Sequence, residues 1–222
     1  MADYTFDFSW VPDNWPLYLR AALITLEILA WSAVFSLVIG LLVGVGLTST
    51  KWWVRTPVRA YVDLFRLTPL LLQIIALFFL IPVLTGVNIS ATWSGIIALS
   101  LNYGAFFAEI FRAGITSLER GQWEAGSAMG MSHVTVLRRV ILPQAVRRML
   151  PPVGSMLVSL TKDTSLVSVI GVAELLSISQ SVGAQTFRNI ETLLFATLFY
   201  LAINIPLAVA VNRLHRKQVV DA

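Results

Sequence analysis

The chain has 222 residues, of which 57% are hydrophobic and 13% charged, with a formal net charge of +4 and a mean hydropathy of +0.78. A soluble domain carries nearer a quarter charged residues, so this composition excludes one and calls for lipid. There are no cysteines, which excludes a disulfide framework and any thiolate metal site.

Residues 1–19 hold Asp3, Asp7 and Asp13 and no basic residue. They lack the cationic start and small-residue cleavage site of a secretory signal, and read as a retained segment outside the membrane. Residues 20–48 form the first span, with Glu27 as the one charge inside it. Gly40 and Gly44 make a small-xxx-small face, suited either to close packing within the subunit or to a dimer contact. Lys51, Trp52, Trp53, Arg55 and Arg59 follow, a mixture of indoles and cations that suits the inner headgroup layer. From Leu67 to Ala108 there is no charge, enough chain for two spans. The spacing predicts a second span at 62–84, a turn at Thr85-Gly86-Val87-Asn88 and a third span at 92–116. Pro69 could free the Phe65 carbonyl for a ligand or water, or merely begin the regular helix.

The stretch Glu124–Pro143 is a polar interruption. Gly130 offers a permissive backbone at which one short helix turns into another, and Pro143 is expected to end the unit. Pro151-Pro152 opens a fourth span running to about Ala173, broken by Lys162-Asp163. Residues 174–190 read as an outer loop or short interfacial helix, and 191–212 as the fifth span. Of sixteen Lys and Arg, thirteen lie in 51–66, 112–148 and 213–217. Five spans with the N-terminus outside place all thirteen within, as the positive-inside rule requires. The fold expected is therefore an all-α integral membrane protein of about five transmembrane helices, N-terminus out and C-terminus in. No internal repeat is visible, and five spans do not divide into two equal halves. A central pathway therefore calls for a second chain.

Polar residues inside the spans are the candidates for chemistry. Lys162 lies ten residues beyond Pro152, roughly 15 Å along a helix and near the middle of the hydrocarbon core. A charge there faces a protein interior or an aqueous cavity. Either Lys162 and Asp163, or Lys162 with Glu27 or Glu109, form a buried bridge, or this level lines a pathway with Thr164 and Ser165. Asn102 offers a donor and an acceptor without the cost of a charge, with Thr68 and Gln73 as weaker pathway candidates. Glu109 and Arg112 are spaced as an i,i+3 pair. Catalysis fails on inventory: His133 and His215 fall in polar segments that the charge rule places inside, away from any intramembrane serine, so no base serves a serine nucleophile. No Gly-Lys-Ser/Thr occurs, so the chain has no P-loop for ATP.

Glu124-Ala125-Gly126, three residues, Gly130, nine residues, then Val140-x-Leu142-Pro143 resembles the EAA loop of ABC-importer permeases. Arg66-Leu67-Thr68-Pro69, Ala108-Glu109-Ile110-Phe111-Arg112, Leu142-Pro143-Gln144-Ala145 and Lys162-Asp163-Thr164-Ser165-Leu166 extend the likeness. They point to the polar amino-acid branch, the histidine/glutamine/glutamate type. The resemblance implies a transmembrane domain over 20–213 with a coupling loop at 120–143, and a cytoplasmic tail at 214–222. Glu124, Ala125, Gly126, Gly130 and His133 would form a cytoplasmic coupling helix against a separate ATPase. Gly126 replaces the usual alanine, a change expected only to loosen the helix. The implied partners are a second permease chain (identical or related), an ATPase dimer and an extracytoplasmic solute-binding protein. ATP and Mg would sit on the ATPase, with no cofactor in this chain. The place implied is the bacterial cytoplasmic membrane. The competing reading is a stand-alone ion-coupled carrier or channel with Lys162-Asp163 as its ion relay.

Overall fold

A computed structural model describes residues 4–118 and 120–220; the side chains at 120, 123, 133, 212 and 214–220 lie outside the described set. Helix α1 is Val11–Leu47, beginning nine residues before the predicted first span. Helix α2, Trp52–Leu67, ends at Thr68, whose backbone is extended (φ −110°, ψ 146°). A residue before proline is pushed out of the helical region, and Pro69 has no N–H to continue the ladder. The predicted straight span at 62–84 is therefore two pieces, bent by 108°. Beyond the bend come α3 (Leu70–Ile75), a π turn (Ala76–Leu80) and α4 (Ile81–Thr85), closed by Gly86.

Helix α5, Ala91–Thr116, matches the predicted third span. Two short helices follow, α6 (Arg120–Ala128) and α7 (His133–Val136), then a π turn at Leu137–Ile141 and α8 (Leu142–Asp163). Pro143 does not end the unit, and Pro151-Pro152 lie inside α8 rather than opening it. In the π turn the Leu142 N–H reaches the Leu137 carbonyl, five residues back. That wider turn takes up the register that the missing Pro143 N–H would break. A 3₁₀ turn, Thr164–Ile170, extends the rod, so Val134–Ile170 is long and apolar enough to cross a membrane. Of the two alternatives at 174–190, loop or short helix, the chain forms the helix, α9 (Leu175–Thr186), and α10 spans Asn189–Val220. Four helices could each cross a bilayer, five with the bent pair counted as one. That is the all-α membrane fold expected.

The chain divides into two compact units. One comprises Met1–Ala33, Leu70–Leu99 and Ser159–Pro206. Its core gathers Trp10, Tyr18, Leu175 and Val182 with Phe195 and Phe199 packed against them. Residues 4–10 are fastened to α10: the Tyr4 hydroxyl donates to Glu191 at 2.5 Å, and the Arg188 guanidinium to the Thr5 carbonyl at 3.0 Å. Glu174, fully buried, caps α9 by accepting from the Leu176 and Ser177 amides at 2.9 and 2.8 Å. It also accepts from the Tyr200 hydroxyl at 2.7 Å. Burial pushes its carboxyl above the ordinary value, and these donors pull it part of the way back. A raised carboxyl contributes stability below its unfolded value of ~4.3 and loses it as pH climbs through the folded value. Glutamine keeps one acceptor oxygen for these donors and is the milder substitution. Glu174→Ala should cost about 2–3 kcal/mol, because the cap and the Tyr200 hydrogen bond are both lost. Thermal unfolding in detergent, with Glu174→Gln closer to wild type, checks this.

The other unit comprises Val34–Pro69, Ser100–Val158 and Leu207–Ala222. Here the open choice about Gly40 and Gly44 resolves toward packing within the subunit. A Cβ at Gly40 would collide with that of Phe107, and one at Gly44 would sit 2.9 Å from the Ala108 carbonyl oxygen. The two glycines let α1 and α5 approach backbone to backbone.

Candidate functional site

The α6–α7 hairpin is built by its turn. Gly130 has φ +73°. Its N–H bonds the Ser127 carbonyl at 2.9 Å, and the Met131 N–H reaches back to Gly126 at 3.1 Å. These are the two bonds of a Schellman cap, which requires a left-handed residue at the first position past the helix end. Ser132 then opens α7, its hydroxyl accepting from the Thr135 amide at 3.3 Å. Beneath the hairpin lie buried Leu118, Val136, Ile141, Ala145 and Met149. On α6, Gly126 is buried while Glu124, Ala125, Ala128 and Met129 are exposed. The His133 side chain lies outside the described residues.

Gly126 does more than loosen its helix. A Cβ there would meet Val136 Cγ2 at 2.5 Å, and a buried β-branched side chain has little freedom to retreat. Glycine lets the second helix close on the first. Gly126→Ala is expected to cost about 1–3 kcal/mol, as overpacking does. Faster hydrogen exchange over 120–141 is its measure.

The pathway candidates fall in separate units and are taken unit by unit. In the second, Asn102 is buried and its side-chain amide donates to the Phe65 carbonyl at 2.9 Å. That carbonyl is the one Pro69 leaves without a helical donor. The Thr68 hydroxyl bonds the neighbouring Leu64 carbonyl at 2.7 Å. Asn102 and Thr68 thus come together on the open end of α2, and Tyr61 ties that helix to α5 through the Leu101 carbonyl at 2.6 Å. Glu109 is a hub rather than half of a pair. Arg112 donates to it at 2.7 Å, as expected, but Arg59 does too at 2.8 Å, and Arg66 lies at 3.6 Å. Its carboxylate is therefore not free to bridge Lys162. Sequence spacing on α2, with Arg55, Arg59 and Arg66 sharing one side, was the signal for this network. A cavity of about 470 Å³ opens beside it, lined by Arg66, Phe106, Glu109, Arg112, Arg148 and Met156.

In the first unit, Lys162 is exposed and Asp163 half-buried. No ion pair to the Lys162 ammonium occurs among the described residues, so the buried bridge with Glu27 is not formed. Glu27 is itself exposed. Thr164 is buried, its hydroxyl on the Thr161 carbonyl at 2.7 Å, and the Ser165 hydroxyl meets the Lys162 carbonyl at 2.7 Å. Helix α3, which carries half-buried Gln73, packs against this 3₁₀ turn. Among the described residues no cluster of His, Cys, Asp or Glu could hold a metal.

The model of the family described as "Binding-protein-dependent transport system inner membrane component" matches residues 36–220. The glutamine transport system permease protein GlnP of Escherichia coli (strain K12) is 37% identical over 213 residues, covering 96% of this chain and 97% of the relative. The arginine transport system permease protein ArtQ of Bacillus subtilis (strain 168) is 34% identical over 211 residues, 95% and 96% of the two chains. Among solved structures, one described as an amino acid ABC transporter with histidines superposes with a TM-score of 0.89 at 29% identity, over 96% of this chain and 100% of that one.

Proposed function

Because the chain belongs to the family of binding-protein-dependent transport system inner membrane components, we infer that it is the membrane permease subunit of an ATP-driven ABC importer. It sits in the bacterial inner membrane and moves a polar amino acid inward by alternating access. The observation that carries the coupling role is the α6–Gly130–α7 hairpin. It has an exposed face at Glu124, Ala125, Ala128 and Met129, a buried anchor at Val136, and its second helix begins the span Val134–Ile170 that bears Lys162 and Asp163. A partner ATPase, which supplies the ATP and Mg chemistry, bears on exposed Glu124, Ala125 and Gly130 with His133, while buried Gly126 serves from within by letting α7 close on α6. This chain's own residues transmit the movement and hydrolyse nothing.

The exposed charges support a second permease chain. Lys162 and Glu27 both lie on spans, and an ionised side chain turned to lipid costs a few kcal/mol. A second copy or a close relative covers these charges, and Lys162, Asp163 and Ser165 then border the central route with Gln73, while buried Thr164 fixes the turn between them. Asn102 and Thr68 serve the route by holding the bend at Pro69. A solute-binding protein delivers the amino acid from outside.

Vesicles reconstituted with this chain, its ATPase and its binding protein should accumulate labelled glutamine, arginine or another polar amino acid only when ATP is supplied. Lys162→Met should weaken that uptake without changing insertion. Concentrative uptake by this chain alone, driven by an ion gradient, would replace the importer with a carrier.

A further inference from the structure

Helix α2 carries three stripes. Val54, Val58, Tyr61, Val62 and Phe65 are buried or half-buried, and Val58, Tyr61 and Val62 pack with Leu47 and Ala108. Arg55, Arg59, Asp63 and Arg66 make a polar stripe, and Trp53, Ala60, Leu64 and Leu67 form an exposed apolar one. A helix with a cationic stripe between two apolar ones suits the boundary between bilayer and water. At its start Trp52 and Trp53 are 72% and 59% exposed, and the Lys51 ammonium stands 5.4 Å from the Trp53 ring. Indoles in that setting sit at headgroup level.

Beside the polar stripe is a groove of about 620 Å³, lined by Arg55, Thr56, Arg59, Ala60, Asp63 and Arg112. Three guanidiniums share two carboxylates beside this groove, and a fourth, Arg55, stands with them. Arg59 reaches Asp63 at 3.0 Å, and Arg59, Arg66 and Arg112 all converge on Glu109. Arg55 has no ion pair among the described residues. Positive charge is therefore left over, in planar groups whose paired N–H donors match the oxygens of a phosphate.

We propose that this groove holds the headgroup of an anionic phospholipid from the inner leaflet. Its phosphodiester lies against Arg55 with Arg59 and Arg112, and its acyl chains run along the stripe of Ala60, Leu64 and Leu67. Lipid, not free phosphate, is the source, because Ala60 of the apolar stripe itself lines the groove and the indoles set its depth. The assignment rests on the inner-face placement of α2 by the charge rule, and not on what the protein transports.

Native mass spectrometry of the full chain with phosphatidylglycerol and phosphatidylcholine of identical acyl chains tests it. Phosphatidylglycerol should be retained in preference. Arg55→Gln should weaken its binding about fivefold, the effect of one basic residue at a charged leaflet, whereas Arg55→Lys should keep most of it. Arg55 is exposed and has no ion pair among the described residues, so the thermal midpoint in lipid-free detergent should not move. Equal retention of the two lipids, or unchanged affinity in Arg55→Gln, would overturn the proposal. So would displacement of the lipid by millimolar inorganic phosphate, which would reveal a site for free anions.

Discussion

Glu124→Arg is expected to cut ATP-driven uptake severalfold or more while the chain still folds and inserts. Glu124 is exposed on α6, and a surface substitution away from special features changes stability by about 0.5 kcal/mol or less. Its effect must therefore appear in what the hairpin touches. Losing a coupling free energy of ~1–3 kcal/mol between sites lowers the coupled output roughly 5- to 150-fold. ATP hydrolysis and uptake measured in the same vesicles should part company, with hydrolysis persisting and transport falling. Gly130→Pro reaches the same end by another route. Proline is held near φ −65° and lacks the N–H that closes the cap, so it cannot take the place of a residue at φ +73°. Normal transport in both variants would remove the hairpin from the mechanism.

Asn102→Leu should produce the largest stability loss among the polar residues of the spans. Leucine is similar in volume but removes the amide that donates to the Phe65 carbonyl, at a bend where Pro69 has already taken away the helical donor. An unsatisfied buried acceptor costs about 1–3 kcal/mol, and no water is at hand in a bilayer to replace the partner. Thermal unfolding in detergent should show the loss. Thr68→Val, at an exposed position, should cost less. If Asn102→Leu unfolded like wild type, the bend would be held by Pro69 and Tyr61 alone.

The long elements were legible because apolar length and the placement of cations are properties of composition over twenty or more residues. The bend at Thr68–Pro69 was half legible: Pro69 and the freed Phe65 carbonyl stood in the sequence, but the donor, Asn102, is 37 residues away. Pro143 misled because the π turn at Leu137–Ile141 widens ahead of it, and Pro151-Pro152 because α8 runs on through them. Gly126 looked neutral because its reason is Val136, ten residues on and across a turn. The Glu174–Tyr200 bond joins residues that share no local pattern, so only tertiary packing reveals it.

The chain has no cysteine, so a single one placed on the exposed face of α6 reports cleanly on what that face meets. Ala125→Cys in intact membranes should crosslink to the partner ATPase and resist a membrane-impermeant maleimide added from outside. Labelling of that cysteine from outside, with no ATPase captured, would contradict the account.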